Sequence, residues 1–201
     1  MTGPANGLPV VDGLALPQPY RELLRPGEPM RAPNGDLHRL PRFFYVVESS
    51  SVAVNTLLTP NFGLWELMEI DLFEALPLRR YPRYVPCAVT ALATALEVLR
   101  AAVGAPVRVA ANGGYRSPSH AASRAASPHC WGTAANIFRI GNEYLDTEEK
   151  IQRYSAVALK TLAGCWTRPY GSGDGAADDH LHLDLGYVTV VPRDRSEGTG
   201  D

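Results

Sequence analysis

The sequence has 201 residues, of which 45% are apolar, and this is enough for one domain with an ordinary hydrophobic core. The formal net charge of −2 is close to neutral, which argues against a nucleic acid as the main partner. No apolar run approaches the roughly 18 residues that a spanning helix needs, so we expect no membrane span. The opening residues, MTGPANGLPVVDG, lack the basic and apolar segments of a signal peptide, which predicts synthesis for the cytoplasm. Without a secretion signal, Cys87, Cys130 and Cys165 are expected to be reduced.

The first part of the chain is rich in proline. Residues 1 to 41 hold eight of the 17 prolines and show little hydrophobic periodicity. Because proline disrupts both helices and central strands, we expect an extended arm without regular helix, which occupies residues 1–55. This arm is either a disordered leader or a segment that docks along its own domain or onto a partner in an assembly. The β-prone stretch Phe43 to Val54 is an extra strand or the anchor of the arm.

Helical periodicity begins after the arm. Thr59 to Leu76 places apolar residues near helical spacing and predicts one or two short helices. Ala88 to Val103 is rich in alanine and leucine, and Gly104 follows it as a stop, so this is the main predicted helix. A further helix is predicted from Asp146 to Gly164, because residues 146–149 (DTEE) match a capping box.

Short strands and loops complete the predicted pattern. Val107 to Ala111 predicts a brief strand that leads into a glycine turn, and Ala134 to Ile140 predicts a second strand. We expect a flexible Gly/Ala-rich run at Gly171 to Ala177 and a loose tail at residues 193–201. His120 is expected to be exposed and uninvolved, and His38 needs no role.

The segment at residues 179–184, DHLHLD, has the clearest chemistry. As a strand it places its leucines on the core face and His180, His182 and Asp184 on the other face, which is either half-exposed or lines a site. Asp179 lies three residues before His182, where it could hold a water next to a metal. His129 and residue 136 are seven apart with Gly132 between them, so both could meet His182 at one ion. Three protein ligands with an open fourth position are typical of catalytic zinc.

The ordered motifs in this region resemble a known family. They are GYRS at residues 114–117, SPHCWGTAAN at 127–136 and HLD at 182–184, with LTPNFGLWEL at 58–67 and LEVLR at 96–100 upstream. This set resembles the zinc D-alanyl-D-alanine carboxypeptidases and the related phage endolysin peptidases of the M15 type. The resemblance covers roughly residues 57 to 191. It implies an α+β fold of the hedgehog/DD-peptidase kind over residues 56–192, with a small antiparallel sheet and flanking helices.

The resemblance also implies roles for single residues. His129, His182 and the residue at 136 correspond to the zinc ligands, and Asp179 to the general base. Arg116 corresponds to the group that orients the substrate carboxylate or carbonyl, and Ser127 to a substrate-binding residue. The family has a liganding aspartate where this chain has Asn136, whose neutral amide is the poorer donor and should lower metal affinity.

Two further points stay open at this stage. Cys130 is an alternative ligand because thiolates bind zinc well, although the side chain next to a ligand usually points elsewhere. For the function, the resemblance implies a zinc peptidase that hydrolyses peptide bonds of bacterial peptidoglycan and reaches the wall after lysis, particle delivery or another non-classical route. The alternative is a catalytically impaired domain that binds wall peptide or serves as a structural component of a phage-like particle or other assembly.

Overall fold

The computed structural model of the chain describes residues 7–172 and 178–192. Its helices are α1 Gln18–Leu24, α2 Ser50–Asn55, α3 Leu64–Met68, α4 Leu76–Arg79, α5 Val89–Val103 and α6 Glu148–Thr161. Its strands are β1 Val10–Asp12, β2 Pro29–Arg31, β3 Leu37–Arg39, β4 Phe43–Val47, β5 Leu57–Thr59, β6 Phe62–Gly63, β7 Arg83–Pro86, β8 Val107–Val109, β9 Ala134–Ile140, β10 Glu143–Tyr144, β11 Trp166–Thr167 and β12 Leu181–Asp184. The predicted flexible run overlaps residues 173–177, and the predicted tail is residues 193–201; both stretches lie outside the described residues.

Two small antiparallel sheets organise the chain. The first has the order β1-β4-β7, and the second has the order β10-β9-β12-β11 with β8 also paired to β9. The hairpins β2-β3 and β5-β6 stand apart from these sheets. The predicted α+β class with small antiparallel sheets and helices is therefore confirmed.

Helix α5 is the centre of the core. Its buried stripe includes Leu92, Leu96 and Leu99, as the sequence predicts, and it packs with α6 and with β8 and β9 of the second sheet. Gly104 ends the helix in the left-handed conformation at φ +64°, which glycine adopts without steric cost. The second sheet is thus held from its core side by α5, which fixes the position of the residues on its opposite side.

The N-terminal segment is folded rather than extended. The prediction that it contains no regular helix is wrong, because α1 forms with Pro17 as its N-cap and Pro19 in its first turn, where a helix needs no N–H donor. β1 forms an edge strand that pairs with β4, and β4 in turn pairs with β7. The stretch from Phe43 to Val54 divides into the strand β4 and part of the helix α2.

Helix α6 differs in detail from its predicted form. It begins at Glu148 instead of Asp146, the side chain of its N-cap Thr147 makes no capping hydrogen bond, and the helix ends at Thr161 instead of Gly164. The three cysteines are all free thiols. Within residues 7–172 and 178–192, no helix has both the length and the apolar character needed to cross a bilayer.

Candidate metal centre

The register between β9 and β12 brings His182 and Asn136 together. The two strands are antiparallel, and His182 lies directly opposite Asn136, so their side chains share one face of the sheet. On the other face Leu181 and Leu183 are fully buried in the core. All four residues of β12 are buried, so the half-exposed alternative for this strand is wrong.

His182 has a polar side chain next to each of its ring nitrogens. Its Nε2 lies 3.0 Å from Asp184 Oδ2, and its Nδ1 lies 3.0 Å from Asn136 Oδ1. Because an ionised carboxylate only accepts hydrogen bonds, Nε2 carries the proton in the neutral ring and Nδ1 directs its lone pair at the amide. The second oxygen of Asp184 accepts from the Gly186 N–H at 2.8 Å, which fixes the carboxylate in place.

His129 approaches His182 from a 3₁₀ turn at Pro128–Trp131, which Gly132 ends at φ +70°. The His129 ring is 2% exposed, and its centroid lies 5.1 Å from that of His182. Nδ1 donates to the Gly114 carbonyl at 2.7 Å, so Nε2 keeps its lone pair. Burial, together with the neighbouring Arg116 and His182, lowers the pKa of His129 well below its usual range. The ring is therefore the neutral imidazole that a metal ligand must be.

Gly114 makes this arrangement possible through a close backbone approach. A Cβ on Gly114 would lie 2.3 Å from the Leu67 carbonyl oxygen at the end of α3, a distance that no side chain tolerates. The Tyr115 N–H donates to the same carbonyl at 2.8 Å. Asn136 is tied to this segment as well, because its N–H donates to the Gly113 carbonyl at 2.8 Å.

If zinc binds here, His129 and His182 would be its two better ligands and Asn136 a weak third. Each imidazole has one nitrogen fixed by an outer partner, Gly114 for His129 and Asp184 for His182, which is the support that metal-binding histidines normally have. Asn136 offers a neutral oxygen in place of a carboxylate. The described residues contain no cluster of three or more His, Cys, Asp or Glu side chains placed to hold a metal.

Cys130 lies in a separate environment. It is buried in an apolar cluster with Trp131, Met30 and Leu40, where burial raises the pKa of its thiol. A protonated thiol in such a cluster is a poor metal ligand. The structure therefore gives no support to Cys130 as a substitute for Asn136.

Arg116 is tied to the same site through the backbone. Its N–H donates to the His129 carbonyl at 3.2 Å, and its buried Nε has no hydrogen-bond acceptor among the described residues. Burial lowers the pKa of this guanidinium, and nearby Asp71 opposes the shift. Ser127 is half-buried at the start of the His129 turn, and its hydroxyl makes no capping hydrogen bond. Arg116 is thus a buried cation next to His129 whose Nε has no acceptor among the described residues.

Asp179 contacts the neighbouring histidine. Its Oδ1 lies 2.6 Å from Nδ1 of His180, while its side chain is 77% exposed. His180 Nε2 accepts from Nη2 of Arg168 at 3.0 Å, so Nδ1 is the nitrogen that donates to Asp179. Burial lowers the pKa of His180 despite this hydrogen bond. The Arg168 N–H donates to the His182 carbonyl at 3.2 Å, which places this chain of polar groups at the edge of the site.

Two polar pairs hold the loop that carries Arg116. His120, expected to be exposed, is 4% exposed, and its Nε2 donates to Asp71 Oδ1 at 3.0 Å because its Nδ1 already accepts from the Ala122 N–H. Ser117 donates from both its N–H and its hydroxyl to the buried carboxylate of Glu74. The expectation that His120 is exposed is therefore wrong, because its ring is buried and pairs with a residue 49 positions away in the chain.

Sequence reasoning missed Arg168 and Trp166 as neighbours of the site. The Trp166 ring centroid lies 5.7 Å from that of His182, and β11 pairs with β12. The alternation of Trp166 and Arg168 beside a buried Thr167 is the sequence signal that could have pointed to them.

A cleft of about 570 Å³ lies elsewhere, between the N-terminal segment and residues 189–191, and none of His129, Asn136 and His182 lines it. The chain matches no protein-family model, no curated protein and no solved structure.

Proposed function

We propose that the chain is a zinc-dependent peptidase that hydrolyses peptide bonds of bacterial cell-wall peptidoglycan. In this proposal it has the hedgehog/DD-peptidase fold and acts as a D-Ala-D-Ala carboxypeptidase or an endolysin-like endopeptidase. The observation that carries the proposal is the pair His129 and His182, whose ring centroids lie 5.1 Å apart. In each ring one nitrogen makes an orienting hydrogen bond, and the other nitrogen is the one that would bind the metal. Metal-binding histidines have this outer support, whereas two exposed histidines do not require it.

His129, His182 and, more weakly, Asn136 would hold the zinc ion. When bound, zinc lowers the pKa of a coordinated water toward neutrality and polarises the scissile carbonyl. Arg116 binds the substrate carboxylate through its guanidinium, whose Nε has no acceptor among the described residues. Asp179 receives the proton of the attacking water on a carboxylate oxygen and passes it to the leaving amine, while His180 fixes that carboxylate at 2.6 Å.

The first experiment incubates zinc-supplemented protein with purified muropeptides and identifies the products by mass spectrometry. We expect a loss of mass that corresponds to one cleaved peptide bond, and the fragment identifies that bond. His182→Ala should abolish the cleavage, and His38→Ala serves as a matched control because His38 stacks on Tyr187 instead of contacting the site. Cleavage that persists in His182→Ala would refute the assignment of this residue as a zinc ligand.

A second candidate function is favoured by Asn136 itself. Turned by 180°, its amide donates to Nδ1 of His182 across the observed 3.0 Å, so the pair satisfies its hydrogen bonds without a metal. This favours a domain that binds wall peptide, or that serves as a structural component of a phage-like particle, without hydrolysis. Folded protein that binds purified muropeptides or sacculi and releases no fragment would support this candidate over the peptidase.

A further inference from the structure

Strand β11 places a large aromatic side chain beside the candidate metal centre. Trp166 is 50% exposed, and its ring meets the ring of His182 edge to face at a centroid distance of 5.7 Å and an angle of 67°. In the antiparallel pair β11-β12, Trp166 lies opposite Asp184, which shares its face of the sheet with His182. The indole therefore stands on the same face as the metal ligands.

The position of Trp166 is fixed from the core side of the strand. The next residue, Thr167, points inward, is 6% exposed and shares a hydrogen bond with Ser155 of α6. Arg168 follows on the outer face, where its side chain contacts His180 and its N–H donates to the His182 carbonyl. Because Thr167 holds the strand to α6, the indole does not fold into the core and its free side stays in contact with solvent.

A second aromatic residue lies on the same face. Phe138 is half-buried and follows Asn136 by two residues along β9, so both side chains point to the side of the sheet that carries His182. The guanidinium of Arg139 lies 5.9 Å from the Phe138 ring. The Phe138 ring centroid lies 6.1 Å from that of Tyr144. Phe138 on β9 and Trp166 on β11, which we call the aromatic shelf, thus flank the strand β12 that carries His182.

We propose that Trp166 is a substrate-binding residue that stacks on a flat apolar face of the ligand next to the cleaved bond. This inference rests on the proposed function and deepens it by specifying the substrate class. The ligand carries an apolar ring or hydrocarbon face for the aromatic shelf and, a few atoms away, a carboxylate or carbonyl for Arg116. In cell-wall material this apolar face comes either from a sugar ring of the glycan strand or from a side chain of the stem peptide.

The test measures binding of two ligands by calorimetry, a disaccharide-bearing muropeptide and the same stem peptide without sugars. We expect Trp166→Ala to weaken binding about five- to tenfold and Trp166→Phe to restore most of it, because an aromatic contact contributes about this much. Trp65→Ala is the matched control, since Trp65 is 41% exposed and lies in α3, and it should bind like the wild type. A loss confined to the muropeptide identifies the sugar, and an equal loss with both ligands identifies the peptide.

Intrinsic tryptophan fluorescence gives a second readout, for which every variant keeps an aromatic side chain at the substituted position. Binding should change the tryptophan emission of the wild type and of Trp65→Phe, while Trp166→Phe should lose the change. Wild-type binding that Trp166→Ala retains in full would overturn this inference and leave the proposed function intact. A wild-type chain that binds neither ligand would overturn both.

Discussion

Replacement of Asn136 by aspartate should convert a weak metal site into a strong one. Its side-chain oxygen lies 3.0 Å from Nδ1 of His182, and His182 and His129 are only 8% and 2% exposed, so water screens the site poorly. At an effective dielectric constant of about 20, two unit charges about 4 Å apart interact by about 4 kcal/mol. Desolvation of the new carboxylate offsets part of this gain. We expect a net gain of about 2–4 kcal/mol, or zinc affinity about 30- to 700-fold higher.

Competition with a chromophoric chelator at neutral pH measures this difference directly. Asn142→Asp is the matched control, because it adds the same charge in the exposed turn between β9 and β10, and it should leave the affinity unchanged. If Asn136→Asp and the wild type bind zinc equally, residue 136 is not a ligand and the site is wrongly assigned. A gain in affinity that also produces hydrolysis absent from the wild type would show that the natural chain is the binding form of the fold.

Three other perturbations test the same structure. Arg116→Ala should reduce turnover of wall peptides at least tenfold while zinc affinity stays within about twofold, and full activity would contradict its assigned role. Gly114→Ala should lower the free energy of unfolding in urea by about 1–3 kcal/mol and weaken zinc binding, because the new methyl group collides with the Leu67 carbonyl that lies beside the His129 acceptor. Burial raises the pKa of Cys87 to about 12, so the unfolded chain ionises this thiol first as the pH rises above its ordinary value of 9.0. The free energy of unfolding should therefore fall between about pH 9 and 12, by up to about 1.4 kcal/mol per pH unit. Cys87→Ala should show a shallower fall, and equal slopes in the two proteins would refute the raised pKa of Cys87.

Local patterns predicted the parts of this fold whose partners lie close in sequence. The leucine stripe and Gly104 predicted α5, and the apolar run from Ala134 to Ile140 predicted β9 with its observed bounds. The helix α1 was missed because its prolines were read as helix breakers, although the first turn tolerates them. Proline content alone is therefore a poor predictor of helix in the N-terminal segment, because the position of each proline within the helix decides whether the helix can form.

The candidate site shows the same division between local and distant partners. Alternation in β12 correctly placed His182 on the face opposite the core leucines, because that pattern lies within four residues. The burial of His120 by Asp71 and the contact of Trp166 with His182 depend on segments 49 and 16 residues apart in the chain. Side-chain periodicity holds no information on such pairings, so they required the folded structure.

The N-terminal segment supports the loop that carries His129, and this has a consequence for the order of folding. The Trp131 indole donates to the Arg39 carbonyl at 2.9 Å, and the Ser119 hydroxyl donates to the Leu23 carbonyl at 2.8 Å, contacts that span 92 and 96 residues. Contacts of such separation close large loops, which costs chain entropy and slows folding. During synthesis, about 90 further residues must be added after the hairpin β2-β3 before the loop that contains Trp131 leaves the ribosome and can contact it. The candidate metal centre joins His129 and His182, so it cannot assemble before both segments have been synthesised.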